Sequence, residues 1–556
     1  MTAPIDFNTI HFIPLEQRVL GPVLRARAEI DADRTYMRFE GQSWTFGQTL
    51  DIARCLACAF KDAGFAKGER LGLFVPNLPG FIFCWYGANL IGGVTVPINP
   101  SYTQYLLEYV ANDADVRGLV TTRELLPVVE SLSPERLARL RFVLLLDGTE
   151  SGRLGRNGPP LLSFPALAAG TAAGLPDPEI AQTFRDEHSI MYTSGTTGPS
   201  KGAMVPNGHF FSASCVFLRA VDLQREDVLF TPLPLFHGLA SRLGALPCLM
   251  VGAEYNLAPR FSASQFWKQV TDCGATVAHT IFTLPNMLKA QPPGEYDRAH
   301  RLRVMYNSGY DAEFERRFGV RLAEAYGMTE VGLTHYTPYQ EPRREGSCGK
   351  THPDWESRLV DEQGIEVPVG EIGEVVLRPR LPGIMMNGYL NKPQETLRLM
   401  RDLWFHSGDY ARRDADGYYY FVSRAKERIR RRGENISPAE VEAIVCTHPE
   451  VGDCAAVAHP AREGEDDVRI VVARKAGSSL AAPALMDWLQ GRMPRFMMPR
   501  YIEFIDVLPR NPAGKIEKYK LLDAGLAPTA WDRDAAGAGA RAVSSPGRSL
   551  SEPPPN

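Results

Sequence analysis

Tyr192-Thr193-Ser194-Gly195-Thr196-Thr197-Gly198-Pro199-Ser200-Lys201-Gly202 is the stretch whose composition most directly implies chemistry, since eight of its eleven residues are glycine, serine or threonine. Such a segment has little to bury, turns tightly, and offers several backbone N–H and hydroxyl donors at once, as a polyphosphate requires. Lys201 would stand where the phosphate charge sits. The run before it, His188 to Thr193, reads as a short strand, so the loop would leave a sheet and wrap an anion. The spacing is not Gly-x-x-x-x-Gly-Lys-Ser/Thr, so this is a phosphate loop of another kind. A surface turn is the usual meaning of such composition, and the lysine shifts the reading toward a nucleotide. Cys55 and Cys58 form a Cys-x-x-Cys inside a predicted helix, Leu50 to Phe60. No second pair follows at zinc spacing, so they read as small buried residues.

The elements that must position the loop follow a regular order. Residues 36–48 alternate as a hairpin and a helix runs from Thr49 to Ala63. Leu71–Val75 reads as a buried strand, Pro79–Leu90 as a helix and Gly93–Ile98 as the next strand. The pattern recurs through Arg117–Thr121, Phe142–Leu146, Ala275–Ala278 and Arg303–Tyr306. Strands alternating with helices predict an α/β fold with a parallel sheet covered on both faces, and such sheets hold ligands at the carboxyl ends of their strands. From about Gly373 the texture changes: Glu374–Arg378 and Gly417–Val422 alternate like antiparallel strands of a smaller, barrel-like piece. A charged run, Arg424 to Arg432, then precedes a compact α+β pattern ending near Leu522, which places a domain boundary at 424–426. The expected organisation is a large domain of parallel-sheet subdomains over 1–424, a small mobile α+β domain over 425–525, and a disordered Ala/Gly/Ser/Pro-rich tail over 526–556.

At 556 residues the chain exceeds what one core serves. Hydrophobic residues at 44% and charged residues at 23% are ordinary for a globular protein. A net charge of −4 argues against nucleic acid as the main partner. Nine scattered cysteines suit reduced thiols and a cytoplasmic setting. Acidic residues interrupt the first thirty positions, so no secretory signal core is expected, and no window approaches a membrane span.

The loop resembles the phosphate-binding signature of the adenylate-forming superfamily, which contains acyl-CoA synthetases, peptide-synthetase adenylation domains and luciferases. Further matches appear in family order from about residue 36 to 522: Thr231-Pro-Leu-Pro-Leu-Phe-His237, Asn307-Ser-Gly-Tyr-Asp311, Glu324-Ala-Tyr-Gly-Met-Thr-Glu330, Trp404-Phe-His-Ser-Gly-Asp409 and Pro509-Arg-Asn-Pro-Ala-Gly-Lys515. The resemblance implies two half-reactions in one site. A carboxylate and ATP give acyl-AMP and pyrophosphate, and a thiol, here CoA, then displaces AMP. It assigns ATP to Thr193, Ser194, Gly195, Thr196, Thr197, Gly198, Lys201, Ser308, Gly309, Tyr310, Tyr326, Gly327 and Met328, with the ribose on Asp409 and Arg424. Thr329 would touch phosphate, Glu330 would hold Mg²⁺, and His237 would border the acyl site as a gate. Lys515 would bridge carboxylate and α-phosphate, a role suited to a compact, mobile charge. The hinge for the small domain falls on Lys426, and Gly433, Glu434 and Asn435 would line the CoA tunnel.

Three departures from the family pattern stand out. Tyr310 replaces a small residue and could reach adenine or the acyl floor, Ser423 stands where Asp or Gly is usual, and Asn207 occupies a common histidine position with His209 two residues on. The stretches Phe261–Trp267, Phe314–Leu322 and Glu434–Ser437 look most like the crotonobetaine/carnitine-CoA ligase branch. The acyl pocket is expected near Phe236, Leu239, Arg242, His279, Thr280, Tyr310, Gly332 and Leu333. Phe236 and Tyr310 offer only part of an aromatic cage for a trimethylammonium group. Arg242 and His279 suit a second acidic or polar group where they point inward. The alternatives are a stand-alone adenylating enzyme serving a carrier-protein thiol or other nucleophile, and a non-catalytic nucleotide-binding relic. A homodimer is the assembly state left open.

Overall fold

The computed structural model describes residues 5–535 except 151, 171, 194–199, 282–283, 308, 425–428, 432–433, 462–464 and 511–515. The chain divides into two compact units, Met1–Thr193 with Lys201–Lys426, and Ser194–Ser200 with Glu427–Asn556.

Where the sequence reads as one alternating series, the first unit builds two sheets. One runs Lys201–Pro206, Glu187–Thr193, Val94–Ile98, Arg70–Phe74, Val116–Thr121, Phe142–Leu145, Pro160–Ser163, Gly152–Arg153, and is parallel except for its outer strands. The other runs Lys350–Thr351, Gly332–Tyr336, Arg321–Met328, Val304–Asn307, Val277–His279, Val228–Thr231, Glu254–Leu257, Thr35–Phe39, Gln42–Thr45, with a parallel centre. The helix Pro79–Leu90 explains why two sheets arise. Every one of its residues is buried, and a helix apolar all round needs cover on every side. The helix Phe46–Asp62 starts three residues earlier than the pattern suggests. Thr45 Oγ1 accepts from the Gln48 N–H and Gln48 Oε1 from the Thr45 N–H, a reciprocal cap that fixes the first turn.

Two features of this unit position the site. The strand Lys201–Pro206 pairs antiparallel with Glu187–Thr193, which itself runs parallel to Val94–Ile98. Directly after it, the helix Asn207–Val221 packs on strands of both sheets and is almost wholly buried. A third, antiparallel sheet of Trp355–Val360, Ile372–Pro379, Trp404–Arg413, Met400–Arg401 and Tyr419–Arg424 supplies the barrel-like piece.

The second unit holds a hairpin, Ile429–Arg431 with Glu434–Ile436, and a sheet of Val451–Pro460, Asp466–Arg474, Tyr501–Ile505 and Trp531–Asp532. Its sheet carries a buried two-pronged pair: Arg469 Nε and Nη2 donate to Glu503 at 2.7 and 3.0 Å. Trp531–Asp532 falls in the stretch assigned to the tail. It pairs with Tyr501 and Ile502, because Arg500 binds Asp532 and anchors the strand.

Candidate active site

The phosphate end begins at Thr193, the last residue of its strand, whose Oγ1 lies 3.4 Å from the Lys201 carbonyl. Ser194, Gly195, Thr196, Thr197 and Gly198 lie outside the described residues. Lys201 Nζ donates to Glu395 Oε2 at 2.7 Å and stands 5.4 Å from the Tyr389 ring centroid. Residues 387–390 run antiparallel beside Lys201–Pro206, bonding Met204 N–H to the Gly388 carbonyl and Leu390 N–H to the Gly202 carbonyl. That pairing brings Tyr389 to the lysine.

The motif at 324–330 occupies the end of the strand Arg321–Met328 and the turn into Gly332–Tyr336. Gly327 is required at this turn: a Cβ there would sit 2.0 Å from the Gly332 carbonyl oxygen. Glu330 is 5% exposed and accepts a 2.6 Å hydrogen bond from the Tyr389 hydroxyl. Thr329 and Met328 are half-buried beside it. The Thr329 carbonyl accepts from His209 Nε2 at 2.8 Å, and burial pushes that imidazole down to about 3, so it stays neutral. Asn207 serves elsewhere, bonding His188 Nδ1 at 2.7 Å and the Thr183 carbonyl at 3.0 Å. Asn207 thus orders the core, and His209 supports the backbone at Thr329.

At the nucleoside end the Tyr326 hydroxyl donates to Asp409 Oδ2 at 2.9 Å, and Asp409 is 4% exposed. The ring of His335 packs 5.5 Å from Tyr326 and 4.3 Å from Tyr419, fixing the face Tyr326 presents. Arg424 stands opposite Asp409 in the antiparallel register, with its side chain outside the described residues. In the neighbouring turn Asn307 Nδ2 donates to the Gly309 carbonyl at 2.6 Å, while Ser308 lies outside the described residues. Tyr310 pairs with charged neighbours. Its hydroxyl donates to Glu345 Oε1 at 2.8 Å and Arg343 covers its ring at 4.8 Å, so charge pairing draws it outward. Glu324 accepts from the Tyr310 backbone, and burial pushes its carboxyl up to about 7.

At the acyl end Phe236, His237, Gly238 and Leu239 are half-exposed along one rim. The Phe236 and His237 rings lie 4.4 Å apart. Leu333 is 7% exposed, and Gly332 leaves room against His209, whose Cε1 would stand 3.0 Å from a Cβ there. Arg242 is buried inside the turn Ser241–Ala245. His279 does not offer its N–H to a ligand. Its Nε2 donates to the Leu243 carbonyl at 3.0 Å and its ring packs on Phe217 and Tyr306, with burial pushing it down to about 4.

In the second unit Glu434 and Asn435 belong to the hairpin strand, and the Asn435 side chain lies outside the described residues, as do Gly433, Lys426 and Lys515. Tyr389, His335 and Glu395 pack among these residues and belong to no quoted motif, whereas Glu324 opens one and His209 was already noted beside Asn207.

Residues 24–390 match the family described as AMP-binding enzyme, and residues 440–515 its C-terminal domain. The chain is similar to the crotonobetaine/carnitine–CoA ligase of Salmonella paratyphi A, 31% identical over 517 residues, covering 89% of this chain and 97% of that protein. Among solved structures it is similar to the anthranilate CoA ligase AuaEII in complex with anthranoyl-AMP. There the TM-score is 0.68 and identity 25%, over 94% of this chain and 99% of that one. It also shares its fold with the amide bond synthetase McbA of Marinactinospora thermotolerans, with TM-score 0.77 and 23% identity over 91% and 100% of the two chains.

Proposed function

As a member of the AMP-binding enzyme family, the chain is an AMP-forming carboxylate–CoA ligase, and we propose that adenylation takes place at the cluster of Lys201, Tyr326, Thr329, Glu330 and Asp409. The observation that supports this most is a convergence. Tyr326 sits on Asp409, Lys201 and Glu330 meet on Tyr389, and the strand Arg321–Met328 with its following turn carries both Tyr326 and Glu330. In the first half-reaction a carboxylate oxygen attacks the α-phosphorus of ATP and pyrophosphate leaves. In the second, the CoA sulfur attacks the acyl carbon and AMP leaves.

Asp409 is suited to accept both ribose hydroxyls, since an ionised carboxylate is an acceptor at both oxygens. Lys201 would exchange Glu395 for phosphate; both side chains are partly exposed, so the existing pair is weak. Mg²⁺ fits this donor set. Glu330 and Thr329 offer hard oxygens, and among the described residues no three His, Cys, Asp or Glu side chains gather into an all-protein cage. Bound there, the ion would neutralise phosphate charge. Glu330 would hold it, and Tyr389 fixes that carboxylate's orientation.

The roles of Lys515 in adenylation, Lys426 as hinge, and Gly433, Glu434 and Asn435 along the CoA path rest on the resemblance. Lys515→Ala, expected to abolish adenylation while sparing thioester formation from preformed acyl-AMP, tests the first of them; equal loss of both steps would contradict it. All nine cysteines are free, and among the described residues no helix is long and apolar enough to cross a membrane; we place the enzyme in the cytoplasm. The deciding experiment assays AMP release with ATP, Mg²⁺ and CoA over a panel of carboxylic acids. No turnover with any acid removes the ligase reading, and pyrophosphate exchange without a CoA product would move it to an adenylating enzyme with another acceptor.

A further inference from the structure

Arg242 is a buried cation whose donors have no partner. It is 6% exposed, yet its Nε and Nη1 hydrogens meet no acceptor, and among the described residues no carboxylate pairs with it. Its backbone is held firmly. The turn Ser241–Ala245 is π-helical, with the Leu243 N–H on the Gly238 carbonyl and the Ala245 N–H on the Ala240 carbonyl. Ser214 Oγ donates to the Arg242 carbonyl at 2.6 Å. Wide turns of this kind commonly mark functional sites, because the extra residue re-aims a side chain.

The guanidinium lies against Gly238. A Cβ on Gly238 would stand 3.5 Å from Nε, 3.6 Å from Nη2 and 2.9 Å from Met191 Cε, so the group lies against the backbone next to His237. The Phe210 ring centroid is 6.0 Å from the guanidinium carbon. Burial pushes Arg242 down to about 10, which leaves it charged at neutral pH. Glu330 contributes at a distance, but its Oε1 is taken by Tyr389. Burying a cation without a partner is costly, so such a group persists where a ligand completes it. A guanidinium with open donors at Nε and Nη1 suits a carboxylate in charge and in donor type.

We propose that Arg242 determines acyl specificity, and that the acid activated carries a second carboxylate at the end remote from the reacting one. The proposal rests on the ligase reading and names its substrate class. A quaternary ammonium end is disfavoured, since like charges would meet inside a dry pocket. On this proposal the acid differs from those for which the Salmonella relative is named.

The test uses the full chain with ATP, Mg²⁺ and CoA, and follows AMP release with three acids of matched length: glutarate, valerate and 4-trimethylammoniobutyrate, with succinate and adipate bracketing the length. The wild type is expected to prefer a dicarboxylate over the matched monocarboxylate at least 100-fold in kcat/KM. Arg242→Met should lose at least 100-fold on the dicarboxylate and keep or gain activity on valerate, reversing the preference. Arg242→Lys keeps the charge without the fork and should fall between, so the ratio remains readable should the methionine variant fold poorly. Wild-type preference for valerate or the ammonium acid overturns the proposal, as does equal loss on both acids in the variants. No turnover with any acid sinks the ligase reading itself, and this inference with it.

Discussion

Replacing Tyr389 with phenylalanine isolates one contact on which the adenylation site depends. The Tyr389 hydroxyl donates to Glu330 Oε1 at 2.6 Å, in a place where both residues are buried. The ring of the same tyrosine carries Lys201 Nζ at 5.4 Å, and that contact survives, since a phenylalanine face also attracts a cation. The change therefore removes orientation from the carboxylate proposed to hold the metal and leaves the lysine proposed for phosphate in place. Hydrogen bonds to charged groups contribute ~1.5–3 kcal/mol. At 1.36 kcal/mol per tenfold, that range is roughly a 10- to 150-fold loss. The assay is pyrophosphate exchange at limiting and saturating Mg²⁺, with thermal melting alongside. Tyr389→Phe should lose most at limiting Mg²⁺ and recover partly at saturation, because a misoriented ligand weakens the ion before it slows the chemistry. Rates within twofold of wild type at limiting Mg²⁺ would refute the assignment of Glu330 to the ion.

Asp409→Asn, which keeps shape but loses the ionised acceptor, should raise the KM for ATP roughly tenfold or more while the melting temperature holds; an unchanged KM would detach Asp409 from the ribose. Glu324 has its carboxyl pushed up to about 7 by burial, so it favours folding below its ordinary 4.5 and that contribution is lost as pH rises through 7. Glu324→Gln should accordingly be more stable than wild type near pH 8, by up to ~3 kcal/mol before solvent screening trims it, with no difference near pH 4. His188 is buried, bonded to Asn207 and Trp85, and held down to about 4. It stays neutral in the fold and charges on unfolding, so its contribution is full above 6.5 and lost as pH falls toward 4. About 2 kcal/mol should go between about pH 7 and pH 5. His188→Gln should flatten that slope in urea titrations, and an unchanged slope would place the proton elsewhere.

What the sequence made legible in the fold is local and periodic. Pro79–Leu90 is read to the residue, because proline opens it and a continuous apolar run fills it. Its burial on every side was equally visible, and is what should have split one predicted sheet into two. The strand Lys201–Pro206 was hidden because the Gly/Ser/Thr loop before it dominates the local composition, so the connection reads as leading out of the sheet when it returns at once as a hairpin. Trp531–Asp532 was lost in a low-complexity tail; the apolar Trp531 was the available signal, and its pairing depends on Arg500, thirty-two residues away.

The site divides along the same physical line. Tyr326, Glu330 and Asp409 were proposed from motifs, because the roles the resemblance gives them demand particular neighbours in sequence. Tyr389 could not, since it reaches Glu330 only after residues 387–390 align against Lys201–Pro206, a pairing with no local signature. Tyr310 shows that a residue's place in a motif fixes its backbone and not its side chain; Glu345 and Arg343, thirty-three to thirty-five positions on, decide where the ring goes. Lys201 and Arg242 show what this implies for substrate recognition. The lysine already has Glu395 as a counter-charge near solvent, so ligand phosphate replaces one partner with another at small cost, as suits a nucleotide common to the whole family. The arginine has no such partner and lies deeper, so only the right acid relieves it, and mismatched acids leave its donors unpaired. Discrimination thus falls on the acid, through a buried cation for which no carboxylate partner stands among the described residues.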